Sequence, residues 1–191
     1  MRGLAFGMAA ALLLAVPGAA QVGDVTVGKT VEADATTTMV HEVLVDATPA
    51  EVWAAISTAE GWMTWAVPVA RIVDGDADLI ESSYDPASEP GGPDTIQQRF
   101  GERVAGKRLA FRTVKAPAGF PHWDEYRQVG SVFEIEAAGE QTRVRLTSRG
   151  YPGSDGGRAL VGFFEGGNAL ALGNLRQRFA TGPIDWAAQR P

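Results

Sequence analysis

Residues 156–180, GGRALVGFFEGGNALALGNLRQRFA, are the longest stretch of the chain with helical periodicity. Leu160, Phe164, Ala171, Leu175 and Phe179 recur in step with the helical turn and share one face. Val161, Leu170 and Leu172 widen that stripe, while Arg158, Glu165, Arg176 and Arg178 fall mostly away from it. Ser154 or Asp155 can cap the start, and Gly182-Pro183 stops the end. The basic residues of the last turns suit the negative end of the helix dipole. Gly166-Gly167 interrupts the middle, where each glycine costs roughly 1 kcal/mol relative to alanine. The helix either bends there or lets another surface come close. Its apolar face needs a cover.

The cover is written upstream as alternating strands. Ile96, Gln98, Phe100, Glu102 and Val104 share one face of a strand, Gly106-Lys107 turns the chain, and Leu109, Phe111 and Thr113 continue that face. A second hairpin runs through Val129, Ser131, Phe133 and Ile135 to a two-residue turn at Gly139-Glu140, and returns through Val144, Leu146 and Ser148. This register sets Glu136 opposite Arg143 and Glu134 opposite Arg145 on the outer face, so one face is apolar and the other charged and wet. Residues 38–45 form an earlier strand with Met39, His41, Val43 and Val45 on one face, and 70–73 and 79–84 are two more strands separated by an Asp-Gly turn. Residues 85–94 form a long, exposed, mobile loop, and 116–126 a loop carrying Phe120, Trp123 and Tyr126.

Between the first strand and the hairpins lies a broken helical bracket. Thr48, Pro49 and Glu51 make a capping box with proline at the first helical position. Ser57-Thr58-Ala59-Glu60 repeats the box and starts a second turn or short helix, which Gly61 soon interrupts, and Trp62 and Trp65 follow. The order is strand, two short helices, about six strands in hairpins, then one long helix. That is an α+β architecture in which a twisted antiparallel sheet of six to seven strands wraps the C-terminal helix.

The length of 191 residues fits one domain, and 45% hydrophobic with 21% charged residues is an ordinary globular balance. The net charge of −6 argues against electrostatic nucleic-acid binding and a polybasic membrane patch. Arg2, the apolar run from Leu4 to Val16 and the small residues Gly18 and Ala20 predict a secretory signal over 1–20, cut before Gln21. The protein is then periplasmic or secreted, with no stable membrane anchor once the signal is removed. The absence of cysteine excludes disulfide, thiol and lipoprotein chemistry. Residues 21–37 read as a flexible leader, 38–182 as the domain, and 183–191 as a tail.

The segment TPAEVWAAISTAEGWMTW (48–65) and the ending RALVGFFEGGNALALGNLRQRF (158–179), in this element order, resemble the START/Bet v 1-like helix-grip superfamily, SRPBCC. Thr48-Pro49-Ala50-Glu51-Val52-Trp53, Trp65 and Phe164-Glu165-Gly166 are similar to marks of the branch named after activators of the Hsp90 ATPase, with Thr48 in place of an alanine. The resemblance spans roughly Thr38 to Ala180. It implies a cavity between sheet and long helix that holds a small hydrophobic molecule, with no cofactor.

The lining candidates are Phe100, Phe111, Phe133 and Leu146 from the sheet, with Phe164, Gly167 and Leu175 from the helix. Gln98 and Glu102 are polar positions on the apolar face, which call for water, a ligand or a strand end. Trp62, Trp65 and Trp123 are rim candidates; as one exposed patch they would instead mark a protein partner. No catalytic residue or metal site is assigned. A cyclase- or dehydratase-like enzyme would have to draw on Glu102 or His122. Asp74, Asp76 and Asp78 lack the remaining positions of a calcium loop and read as a hairpin turn.

Overall fold

The computed structural model describes residues 24–188. The elements are β1 (Thr26–Val31), β2 (Thr37–Val45), α1 (Pro49–Ser57), α2 (Ala59–Met63), β3 (Val69–Val73), β4 (Asp76–Ser83), β5 (Ile96–Val104), β6 (Arg108–Lys115), α3 (Trp123–Tyr126), β7 (Gly130–Ala138), β8 (Gln141–Tyr151) and α4 (Asp155–Thr181). The strands form one antiparallel sheet in the order β1-β2-β8-β7-β6-β5-β4-β3. The long β8 sits between β2 and β7 and sets Glu134 and Glu136 against Arg145 and Arg143, the register read from the hairpin pattern. On the outer face Glu42 binds Arg143 at 3.1 Å and Arg145 at 2.8 Å, extending that charge ladder to β2.

Helix α4 closes the concave face. Ser154 caps it by accepting from the Gly157 backbone N–H, and the helix runs to Gly182. It packs mainly on β2, with smaller contacts to β8, α3 and β1. Lys29 of β1 reaches Glu165 at 2.8 Å, and Arg176 pairs with Asp24.

The bracket α1–α2 plugs one end of the concavity. Thr48 and Glu51 form the reciprocal capping box, with the Thr48 backbone N–H donating to Glu51 at 2.8 Å. The last turn of α1 leaves carbonyls without helical partners. Two indole N–H groups take them: Trp62 donates to the Ile56 carbonyl at 2.7 Å and Trp65 to the Ala55 carbonyl at 2.9 Å. Gly61 makes this approach feasible, because a Cβ there would collide with the backbone carbonyls of Ala54 and Ala55.

Several expectations change. Residues 26–31, placed in a flexible leader, form the edge strand β1 against β2. The sheet therefore has eight strands. All six β1 residues are exposed, so no buried alternation marked it. Strand β4 begins at Asp76, directly after Asp74-Gly75. The 85–94 loop is mostly exposed, as expected, and is anchored to the sheet at Gly91. Glu81, 2% exposed, accepts from the Gly91 N–H at 2.9 Å, Gln97 at 2.8 Å and Thr95 at 3.1 Å, and pairs with Arg71 at 2.6 Å. The tail also docks, with Trp186 Nε1 donating to the Met63 carbonyl at 2.6 Å. Residues 1–20, including the expected signal and its cut site, lie outside the described residues, as do 189–191.

Burial alone would raise the Glu81 pKa, but the Gly91, Gln97, Arg71 and Thr95 hydrogen bonds outweigh it and hold it at about 2 instead of 4.5. A carboxyl depressed by folding contributes stability above its unfolded pKa and loses it as pH falls toward the folded one. Wild-type protein should therefore lose about 2 kcal/mol through this group between pH 5 and pH 3. Urea unfolding at both values checks this: Glu81→Gln should start less stable at neutral pH and show a correspondingly smaller acid loss. Equal losses in the two proteins would contradict it.

Candidate functional site

The concave face carries two apolar clusters. The larger gathers Val43, Val45, Val52, Ile56, Trp62, Trp65, Ile80, Phe100, Leu109, Phe133, Val144, Leu146 and the C-terminal half of α4 through Ala169, Leu172 and Leu175. The smaller joins Met39, Val129, Tyr151 and Leu160, with Phe120, Tyr126, Val161 and Phe164 packed against it. Tyr126 of α3 stacks on Phe164 at 4.5 Å, which fastens the aromatic loop to the N-terminal half of α4. The helix thus touches one cluster up to Phe164 and the other from Ala169 on.

The residues between are Glu165, Gly166, Gly167 and Asn168. None of them joins either apolar cluster. A Cβ added at Gly166 or Gly167 would meet nothing within 4 Å. Several strands of the sheet carry buried or half-buried polar side chains. Gln98 and Thr113 are cross-strand partners on β5 and β6. Ser131 and Ser148 are partners on β7 and β8, their hydroxyls 2.9 Å apart. Thr113 donates to the Tyr126 hydroxyl at 3.3 Å. The Gln98 Oε1 is buried with no hydrogen-bond partner.

His41, fully buried on β2, bonds through Nε2 to the Glu165 carbonyl at 3.0 Å. The carbonyl can only accept, so Nε2 carries the proton and Nδ1 is left as an acceptor. That Nδ1 is also buried without a partner. Burial depresses the His41 pKa, and the Glu165 carbonyl only partly offsets it. An orphaned buried acceptor costs roughly 1–3 kcal/mol.

Three tyrosines border this band. Desolvation pushes the Tyr126 phenol up to about 12, against the Thr113 hydrogen bond, and burial raises that of Tyr151 further. Tyr84, just beyond β4, has 71% of its surface accessible, yet desolvation raises its phenol too. Both observations fit a ring hanging in an open concavity walled by protein. It lines an open depression of about 620 Å³ with Asp85, Pro86 and Ala87. A second depression, about 390 Å³, is bounded by Arg112, Thr113, Val114, Trp123, Arg127 and Gln128.

Of the lining candidates, Phe100, Phe133, Leu146 and Leu175 are buried in the larger cluster and Phe111 packs against it, stacked on Phe133 at 5.5 Å. Phe164 joins the smaller cluster, Gly167 lies between the two, and Gln98 belongs to the polar band. Trp62 and Trp65 are not at a rim: both are core, held by their indole hydrogen bonds, and form no exposed patch with the half-buried Trp123.

Glu102 does not face inward. The pairing of β5 with β6 shifts register between Phe100 and Arg103, which turns Glu102 out to Arg108 at 3.0 Å. Gly101 was the available signal, since a strand-interior glycine often marks a bulge. His122 is exposed at a left-handed turn before α3, beside Gly156 at the start of α4, so it and Glu102 make no interior pair. Asp76 and Asp78 bind Arg99 and Arg103, each at 2.8 Å. His41, Tyr84, Tyr126 and Tyr151 were not among the lining candidates. Tyr84 keeps the alternation of Ile80 and Ser82, which could have found it.

A curved antiparallel sheet around a long C-terminal helix, with two short helices between the second and third strands, is the helix-grip arrangement. Residues 36–180 match the family model described as polyketide cyclase / dehydrase and lipid transport, and the chain belongs to that family, within the SRPBCC superfamily. Solved structures with the same fold include the Aha1 dimer from Colwellia psychrerythraea (18% identity, 76% of this chain and 97% of that one, TM-score 0.57). XoxI from Bacillus cereus is similar at 18% identity over 75% and 96% of the two chains, TM-score 0.59. CalU16 from Micromonospora echinospora is similar at 15% over 84% and 85%, TM-score 0.54. No curated protein sequence matches the chain.

Because a methyl group at Gly167 meets open space, Gly167→Ala should stabilise the apo protein by up to about 1 kcal/mol through helix propensity alone. A raised thermal midpoint would agree; a drop would show that the backbone there needs glycine.

Proposed function

We propose that the protein is an exported, non-catalytic carrier that holds a small hydrophobic or amphipathic molecule between the concave face of the sheet and α4. The observation that carries this reading is the break between the two apolar clusters. There the helix carries the half-buried Gly167 and no large apolar side chain, and elsewhere on the sheet the buried Gln98 Oε1 lacks a partner. Apolar walls such as Phe111 and Phe164 would supply most of the affinity, and the neutral groups Gln98, Thr113 and Tyr126 would fix orientation.

The family's description includes lipid transport, in keeping with such a ligand. Export rests on the sequence of the first twenty residues. A cyclase or dehydratase would need an interior acid–base pair, and the two residues named for it, Glu102 and His122, are both exposed.

Native mass spectrometry of the protein purified from its own compartment, with organic extraction, tests the reading. A small apolar or amphipathic molecule bound one to one is the expected result. An empty protein that also fails to bind fluorescent lipids and polycyclic aromatics would overturn it.

A further inference from the structure

The sheet is narrow between β6 and β7. Pairing of β6 with β7 stops at Phe111 opposite Ser131, yet β6 runs on to Lys115. From Arg112 onward its β7-facing edge has no strand partner, and the 116–129 segment fills the opening. The 390 Å³ depression lies at this split, bounded by Arg112, Thr113, Val114, Trp123, Arg127 and Gln128. Its floor leads inward. Thr113 is buried and donates to the Tyr126 hydroxyl, Trp123 meets the edge of Tyr126 at 6.3 Å, and Tyr126 stacks on Phe164 of α4. One Thr–Tyr layer therefore separates the depression from the concave interior.

The charges at this mouth are unbalanced. Arg112 is exposed and has no ion-pair partner among the described residues. Its cross-strand neighbour is another cation, Arg99, whose own charge is taken by Asp76 at 2.8 Å. Arg127 shares Asp124 at 3.2 Å, an exposed pair that leaves its outer N–H groups free for a second acceptor. Gln128 Nε2 is held by the Asp124 carbonyl at 2.7 Å. The concave band, in contrast, presents neutral polar groups: Gln98, Thr113, Ser131, Ser148 and the tyrosine phenols. A molecule passing this mouth meets cations outside and neutral or apolar groups inside.

The geometry points to a head-group site in the split between β6 and β7, where Arg112 and Arg127 hold the carboxylate of a single-chain amphiphile whose apolar tail passes Trp123 and enters the concave interior by displacing the single Thr113–Tyr126 hydrogen bond. This rests on the carrier reading above and specifies the chemistry of what is carried. Guanidinium groups suit a carboxylate because they offer two parallel donors to its two oxygens. Trp123 provides an aromatic face for the first methylenes of the tail.

The test compares cis-parinaric acid with the corresponding parinaryl alcohol, two fluorescent probes that differ only in the head, titrated into wild-type protein and Arg112→Gln/Arg127→Gln. Both arginines are exposed, and matching thermal melts establish that the double variant is folded. The expected result is that wild type prefers the acid by about tenfold, that the double variant loses this preference, and that alcohol affinity is unchanged. Arg112→Lys/Arg127→Lys should restore part of the preference. Equal binding of acid and alcohol to wild type, or a preference that survives in the double variant, overturns the head-group site while leaving the carrier reading intact. Failure of both probes to bind wild type overturns both.

Discussion

Helix α4 is fastened at its two ends to different parts of the concave face, and the rest of the structure is arranged around that constraint. Its C-terminal half is buried with the bracket tryptophans and the centre of the sheet, through Ala169, Leu172 and Leu175. Its N-terminal half is held by Tyr151, Met39 and the aromatic loop, through Leu160 and Phe164. Between the clamps the helix is tied to the sheet by polar contacts instead, the Glu165 carbonyl to His41 at 3.0 Å and the Glu165 carboxylate to Lys29 at 2.8 Å. The four residues over the gap, Glu165 to Asn168, include both glycines and no large apolar side chain. The glycine pair sits in the stretch that contributes no side chain to either apolar cluster.

The polar atoms nearby fit the same picture. Protein interiors bond their buried polar groups almost without exception. On the outer face Glu81 is met by four partners and its carboxylate is held ionised far into acid, although the Ser88 hydroxyl of the covering loop is left without a partner. In the inner band the Gln98 Oε1 and the His41 Nδ1 are both left over. The contrast lies within one sheet, between the two faces of neighbouring strands. Of these groups His41 lies at the break between the clusters, through its bond to the Glu165 carbonyl.

Much of the fold was legible because its signals are local or periodic. The α4 stripe, the Thr48 capping box and the Glu134–Arg145 register each follow from a few residues whose spacing has a physical meaning. The parts that were not legible had no such signature. Strand β1 buries no face, so it shows no alternation to read. The β5 bulge leaves the apolar pattern intact and flips Glu102 all the same. Trp62 and Trp65 are core because their indole N–H groups cap the carbonyls of α1, a tertiary contact that their spacing does not encode. The concave site is less legible still. Gln98 and Gly167 could be singled out as residues that fit poorly in a packed interior, but the position of Tyr84, and the meeting of Tyr126 with Thr113 and Phe164, depend on how the 116–126 loop docks against α4.

The most direct test of the account is a crystal structure of the protein with its retained molecule, or with a fluorescent lipid, bound. The account predicts continuous ligand density beneath Gly167, in contact with Phe111 and Phe164 and within hydrogen-bonding distance of the Gln98 amide, with α4 still clamped at both ends. Density confined to the outer surface, or a bound state in which the two apolar clusters close on each other and exclude the ligand, would contradict it.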